Sequence, residues 1–372
     1  MRKEIGLIMS LGIMVMITCS CGSSEQTIED GEQVSTEIDI NTIKTYSFPT
    51  EYKADGENVT VDMTVNAPEK AYFLEGTVEF IKPDYEKLAK ALMDEMQISY
   101  DVEINDDGSG TLISQEQVND YYKAFCSWGN YGLELASYPY LTTGACVCSE
   151  TKNPGYNLPL YETKKSFSFA TEEEALATVM NMLENNGIIL GDDVQVNTYY
   201  LDHETLQQQE AHYDLDGNRQ GERYRTDWSE ADDTYCFYIH QTYCGLRDYH
   251  TGDFWAGRAE DGNAQLVAGY NADGIVGLMM NEISTYKMSE KEVELLDMDT
   301  IIDALITHYE NIVDGATYEV TSATLCCDYR SAGKAMEKEM IPVWAFQVNE
   351  TSEDGTRSSY EIRINAATGE FL

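Results

Sequence analysis

Thr171-Glu172-Glu173-Glu174-Ala175-Leu176-Ala177-Thr178-Val179-Met180-Asn181-Met182-Leu183 reads as an amphipathic helix with its own start signal. Thr171 and Glu174 have the spacing of a capping box, in which each side chain satisfies the other's backbone N–H. Leu176, Val179, Met180 and Leu183 fall on one face at helical period, and Asn185-Asn186-Gly187 ends the run. A second such stretch begins at Asp299. There Ile302, Leu305, Ile306, Tyr309 and Val313 form the stripe, and Asp314-Gly315 stops it.

The segments downstream of the two helices look alike. After the first come strand candidates at 194–201 and 235–240, then 266–280, two short strands turned at Asn271-Ala272-Asp273-Gly274. After the second come 318–329, 341–348 and 360–364. A helix with one apolar stripe must lie on a sheet with one apolar face. The order predicts an α+β chain with two tandem modules, each a helix on an antiparallel sheet, at 166–288 and 289–372.

Pro342-Val343-Trp344-Ala345-Phe346, then a strand ending Asn365-Ala366-Ala367-Thr368-Gly369-Glu370, resembles PepSY-type modules. It is also similar to the extracytoplasmic regulators of the cell-wall sensor kinase in Gram-positive bacteria. The first copy has Asn271-Ala272-Asp273-Gly274-Ile275, no Pro-x-Trp, and an insertion from about His203 to Asp232. The whole chain resembles uncharacterised lipoproteins of Gram-positive gut bacteria. The resemblance implies a non-catalytic, envelope-side protein that inhibits, senses or holds a partner, with Trp344 a core residue and Gly369 a turn residue.

Upstream, 45–165 reads as an N-terminal strand-rich α+β domain. Val59-Thr60-Val61-Asp62-Met63-Thr64-Val65 alternates at period two, as a half-buried strand does. A second strand is expected over 72–81, a helix from Pro83-Asp84 with Tyr85, Leu88, Leu92 and Met96 on one face, and a strand over 99–104. From Tyr121 to Tyr161 the pattern breaks, and aromatic residues stand among Gly, Pro and Asn. Such a region can cradle a sugar or a peptide, because a ring face is apolar and a phenol is polar. Trp128, Tyr131, Tyr138 and Tyr140 are the candidate ligand-binding residues. The alternative is that the rings cover a junction between domains.

The N-terminus sets the compartment. Arg2 and Lys3 precede an apolar run, Ile5 to Ile17, right for a leader and short for a span of about 20 residues. Thr18-Cys19-Ser20-Cys21-Gly22-Ser23-Ser24 then resembles the lipobox of bacterial lipoproteins. In that family the cysteine is acylated and becomes the first mature residue. Cys21, with small Ser20 before it, is favoured; Cys19 competes, and Thr18 stands where Leu is usual. The expectation is a signal peptide at 1–20, a lipidated cysteine with an acidic disordered tether at 21–44, and a membrane-anchored protein on the extracytoplasmic face.

With 24 basic and 66 acidic residues the chain has a formal charge of −42. That repels phosphate backbones and anionic lipid and argues against nucleic acid as a partner. The partners expected are the membrane, through the lipid, and an envelope protein or peptide. An extended peptide could add to a sheet edge, and Pro342 suits an edge strand.

Catalytic spacing is sparse. There is no His-Glu-x-x-His; His203-Glu204 and Glu210-Ala211-His212 put the histidines nine apart on opposite helix sides. Asp214-Leu215-Asp216-Gly217-Asn218 has its Gly two positions early for a calcium loop and reads as a turn. Cys236 and His240 would share a strand face about 13 Å apart, too far for a thiolate–imidazole pair. Of nine cysteines, seven remain beyond Cys19 and Cys21, without zinc or thioredoxin-like spacing. No cofactor, metal or catalytic residue is assigned. The expected function is a non-catalytic binding or regulatory protein of the cell envelope. The alternative is a hydrolase of glycans or peptides with 121–161 as its platform.

Overall fold

A computed structural model describes residues 42–118, 121–130, 132–138, 158–191, 193–209, 227–249, 264–331 and 338–372. The leader, Cys21 and the tether up to residue 41 lie outside the described residues, as do Tyr131, Tyr140, His212 and 214–218.

The strands in chain order are β1 Glu51–Asp55, β2 Val59–Asn66, β3 Leu74–Phe80, β4 Tyr100–Ile104, β5 Gly110–Ser114, β6 Gln117–Val118, β7 Tyr121–Tyr122, β8 Ala124–Trp128 and β9 Gly132–Ser137. Then come β10 Val194–Leu201, β11 Thr234–Tyr243, β12 Leu246–Arg247, β13 Leu266–Asn271, β14 Gly274–Asn281, β15 Ser284–Glu292, β16 Thr317–Ser331, β17 Lys338–Thr351 and β18 Arg357–Asn365. The α-helices among the described residues are α1 Tyr85–Glu95, α2 Glu172–Asn185, α3 His203–Gln209 and α4 Met298–Glu310.

Two large sheets dominate. One has seven strands in the order β1-β2-β16-β17-β3-β15, with β18 also on β17. The other has nine, in the order β10-β11-β13-β14-β9-β8-β5-β4, with β12 on β11. This overturns the two tandem helix-on-sheet PepSY-like modules: the protein is mostly β, and its sheets draw strands from distant parts of the chain. β16 takes β2 as a parallel neighbour, Tyr318 opposite Val59. β14 continues into β9, Met279 opposite Glu134. The physical reason is that an apolar stripe says an element is covered, not by what. Helical and strand periods mark each element locally, while the partner of each strand edge is a long-range choice.

The elements themselves follow their residues. β2 alternates buried and exposed along its whole length, with Val59, Val61, Met63 and Val65 inside. Asp84 caps α1 by accepting from Lys87 N, and Thr171 and Glu174 form the capping box of α2. The buried face of α2 is Ala175, Val179 and Leu183, while Leu176 and Met180 are only half-buried. The α2 stripe is thus rotated toward its smaller residues. α1 and α2 lie on one face of the nine-stranded sheet, over Leu112, Cys126, Leu135, Phe237, Leu266 and Leu278.

α4 covers the seven-stranded sheet with Ile301, Ile302, Leu305 and Tyr309, and the Tyr309 ring lies 4.3 Å from that of Tyr318. Val313 is 97% exposed, because the helix stops short of it. Trp344 is fully buried and meets Phe48 edge-on at 5.0 Å.

Two further expectations change. Pro342 is not on an edge: β17 has β16 on one side and β18 and β3 on the other. Pro342 fits because it sits just past the β18 ladder, opposite Cys327, where its carbonyl accepts from Ala366 N at 2.8 Å. And 121–137 is not irregular: β8 and β9 form a hairpin in the middle of the sheet. Its core face, Ala124, Cys126, Trp128, Leu133 and Leu135, is apolar, but the other face carries Phe125 and Ala136 beside Ser127 and Glu134, which blurs the period-two alternation.

The sheets meet at a seam. β2 covers the β16 edge from Tyr318 to Thr324, and beyond it Asp248 bridges in parallel to Cys327. Tyr249 N donates to Cys327 O at 2.6 Å. The chain leaving β12 therefore links the ladder of one sheet to that of the other. Gln241, 1% exposed, ties the same region: its Nε2 donates to Leu190 O and Ser284 O, each at 2.9 Å, and its Oε1 accepts from Ser284 N at 2.7 Å. No helix among the described residues is long and apolar enough to cross a membrane.

Candidate functional site

Two open hollows are candidates. The larger, about 570 Å3, lies between β10 and the seven-stranded sheet, with Arg247 and Glu162 in its lining. Its polar groups Glu162, Asn197, Tyr199 and Arg247 already have partners. The smaller, about 400 Å3, is a groove at the end of the nine-stranded sheet, where the β4–β5 and β8–β9 hairpins turn.

The groove is built by register. Thr111, Ser127, Glu134 and Met279 stand opposite one another across β5, β8, β9 and β14, so their side chains share a face. Trp128, opposite Gly110 and Leu133, turns its ring to the other, helix-covered face of the sheet and borders the groove only at the hairpin end. It is 6% exposed, and its Nε1 donates to Gly108 O at 3.0 Å. Glycines allow close packing at this end: a Cβ at Gly110 would lie 2.3 Å from the Trp128 ring that covers it, and one at Gly132 2.4 Å from Met280 O. Asn105, Asn130 and Asn281 bring amides to the rim.

Glu134 is the chemically informative group. It is half-buried, and among the described residues no hydrogen-bond donor or cation meets its carboxylate. Burial alone raises its pKa above the ordinary carboxylate value. The nearby cation Lys82 donates instead to Asn130 Oδ1 at 2.9 Å. A carboxylate flanked by Ser127, Thr111 and amides, with the apolar Met279 beside it, suits a ligand that carries an amine and hydroxyls.

Of the sequence-derived candidates, Trp128 borders the end of the groove but packs its ring into the core on the other face of the sheet. Tyr138 stands just past the far end of β9, about 20 Å along the strand from the groove end, with its N–H on Lys123 O. Tyr131 and Tyr140 lie outside the described residues. Glu134 carried a signal that could have been read: in Leu133-Glu134-Leu135 it alternates with apolar neighbours and so must face the other side of a strand.

Elsewhere the titratable groups are structural. His203 Nδ1 meets Asp233 Oδ1 at 2.8 Å, and that hydrogen bond raises its pKa. No described serine, threonine or cysteine is hydrogen-bonded to the ring. Cys236 and His240 both pack inside β11. Burial holds the His240 pKa well down, and both ring nitrogens lack partners. Burial pushes the Cys244 thiol up to about 12 and raises Cys126, Cys326 and Cys327 as well, so none is poised as a thiolate. Among the described residues no three His, Cys, Asp or Glu side chains converge to hold a metal ion.

At the seam, burial raises the Asp248 carboxyl to about 7 against the opposing hydrogen bond from Tyr286. Neighbouring Asp328 pairs with Arg363, and Glu361 accepts from the Tyr249 hydroxyl. This network is closed off within the seam, Asp248 being 3% exposed.

No family model and no curated protein matches the chain. Among solved structures its fold is similar to that of an uncharacterized protein from Eubacterium rectale ATCC 33656, a crystal structure at 1.45 Å resolution. The TM-score is 0.58 at 17% identity, over 87% of this chain and 93% of that one. At that identity the likeness is one of fold.

Proposed function

We propose that this chain is a non-catalytic binding protein of the cell envelope, held on the extracytoplasmic face by a lipid on Cys21. The groove over Thr111, Ser127 and Glu134 takes a small ligand bearing an amine and hydroxyl groups. The observation that carries the reading is Glu134: a half-buried carboxylate without a partner among the described residues, at the floor of an open, amide-rimmed groove. Such a group is stabilised most by a cation that donates hydrogen bonds to it. The leader and Cys21-Gly22-Ser23-Ser24 support the anchor, and the acidic surface suits a cationic ligand.

The test is titration calorimetry with glucosamine and with glucose. Glucosamine is expected to bind more tightly by about tenfold or more, the worth of one charged hydrogen bond. Glu134→Gln is expected to erase that preference. Equal affinities for the two sugars, or a preference that survives in Glu134→Gln, would contradict the reading. Mass spectrometry of the mature N-terminus tests the anchor separately; an unlipidated Cys21 would remove it.

A further inference from the structure

We infer that the free edge of β4 is a docking strand for an extended, basic segment of another protein. β4 ends the nine-stranded sheet and, among the described residues, pairs only with β5. Asn105 N donates to Ser109 O, and Gln115 N to Ser99 O, at 2.8 and 2.9 Å. Hydrogen-bonded and non-bonded pairs alternate along an antiparallel ladder. Asp101 and Glu103 therefore direct their peptide groups at β5, while Tyr100, Val102 and Ile104 direct theirs outward. Those outward groups have no partner among the described residues. An incoming strand would find a ready row of donors and acceptors.

The side chains select the partner. Val102 and Ile104 are 45% and 53% exposed, large apolar groups beside an open edge. Asp101 and Glu103 stand on the opposite face, with Asp106 and Asp107 in the turn. Among the described residues Asp101 accepts only from the Gln115 amide, at 2.7 Å, and no cation meets Glu103. Two other edges are neutralised: Lys287 and Lys291 on β15 pair with Glu79 and Glu75, and Lys53 on β1 with Asp62. The β4 edge has no such lysine. A second copy of this chain does not fit. Antiparallel pairing about Val102 would set Asp101 against the copy's Glu103, between two chains of charge −42. A strand alternating cationic with apolar residues fits on both faces.

The experiment uses the full chain and a fluorescent peptide of alternating lysine and valine, about eight residues long. Saturable binding that weakens with salt is expected, with no binding of an alternating glutamate–valine peptide. The same lysine–valine peptide N-methylated at every second residue is expected to bind at least about tenfold more weakly, since one ladder edge is blocked. Val102→Pro, which removes only an outward N–H, is expected to act likewise. Asp101→Lys with Glu103→Lys is expected to transfer binding to the glutamate–valine peptide. Glu134→Gln is expected to change none of this, which separates the edge from the groove. Equal binding of the N-methylated and parent peptides would reduce the contact to charge attraction and overturn the inference. So would the absence of binding, or a dimer that Val102→Pro dissociates.

Discussion

Tyr286, on β15 of the seven-stranded sheet, donates its hydroxyl to Asp248, just past β12 of the nine-stranded sheet. The bond crosses the seam at the place where Asp248 also bridges to Cys327. Burial raises this carboxyl to about 7, against roughly 3.9 for an aspartate in the unfolded chain. The folded protein then keeps a proton that the unfolded chain has lost. Asp248 thus weakens stability progressively from about pH 4 to pH 7, by no more than about 4 kcal/mol, and levels off above. Asp248→Asn keeps an acceptor for Tyr286 and has no charge to bury. Urea unfolding at several pH values should show the variant gaining on the parent across that window. A constant difference between them would count against the buried, protonated carboxyl.

Gln241 makes a second kind of seam contact. Replacing it by Leu would leave Ser284 N and the carbonyls of Leu190 and Ser284 buried without their partner. Each unmatched group costs about 1–3 kcal/mol, so a loss of roughly 3–5 kcal/mol is expected. Denaturant midpoints measure it; a loss under about 1 kcal/mol would mean water satisfies these groups.

Trp344 fills the core of the seven-stranded sheet, yet its indole N–H has no hydrogen-bond partner. Trp344→Ala should cost about 3–5 kcal/mol through the cavity it leaves. Trp344→Phe should cost far less, on the order of 1 kcal/mol, because it also removes an unpaired buried donor. Thermal unfolding of both variants distinguishes this from a core in which the N–H is used, where Phe would be nearly as damaging as Ala.

Cys126, Cys236, Cys244, Cys326 and Cys327 are buried thiols outside any disulfide. A thiol reagent applied to the native protein near pH 8 should leave these five unmodified, and all five should react after denaturation. Peptide mass mapping reads this residue by residue. Rapid native labelling of Cys326 or Cys327 would contradict a closed seam.

The seam explains how much of this protein is legible in its sequence. Helix caps at Thr171, the alternation of Val59 to Val65 and the turn at Asn271–Gly274 are encoded within a few residues, and each stands where the sequence places it. The pairing of β2 with β16 joins residues some 260 positions apart, and nothing in either strand names the other. Two similar runs of helix and strands therefore read as two modules, although their strands enter shared sheets. At the groove, Trp128 is visible as an aromatic among glycines. Glu134, on the other face, is hidden in a chain with 66 acidic residues, where only the strand register isolates one carboxylate from the rest.

The most direct test of the binding account is the calorimetric titration of glucosamine into the parent protein and into Glu134→Gln. The account predicts saturable binding by the parent and affinity lower by about tenfold or more in the variant, with the variant at least as stable as the parent because a buried charge is gone. Indistinguishable isotherms for two folded proteins would contradict it.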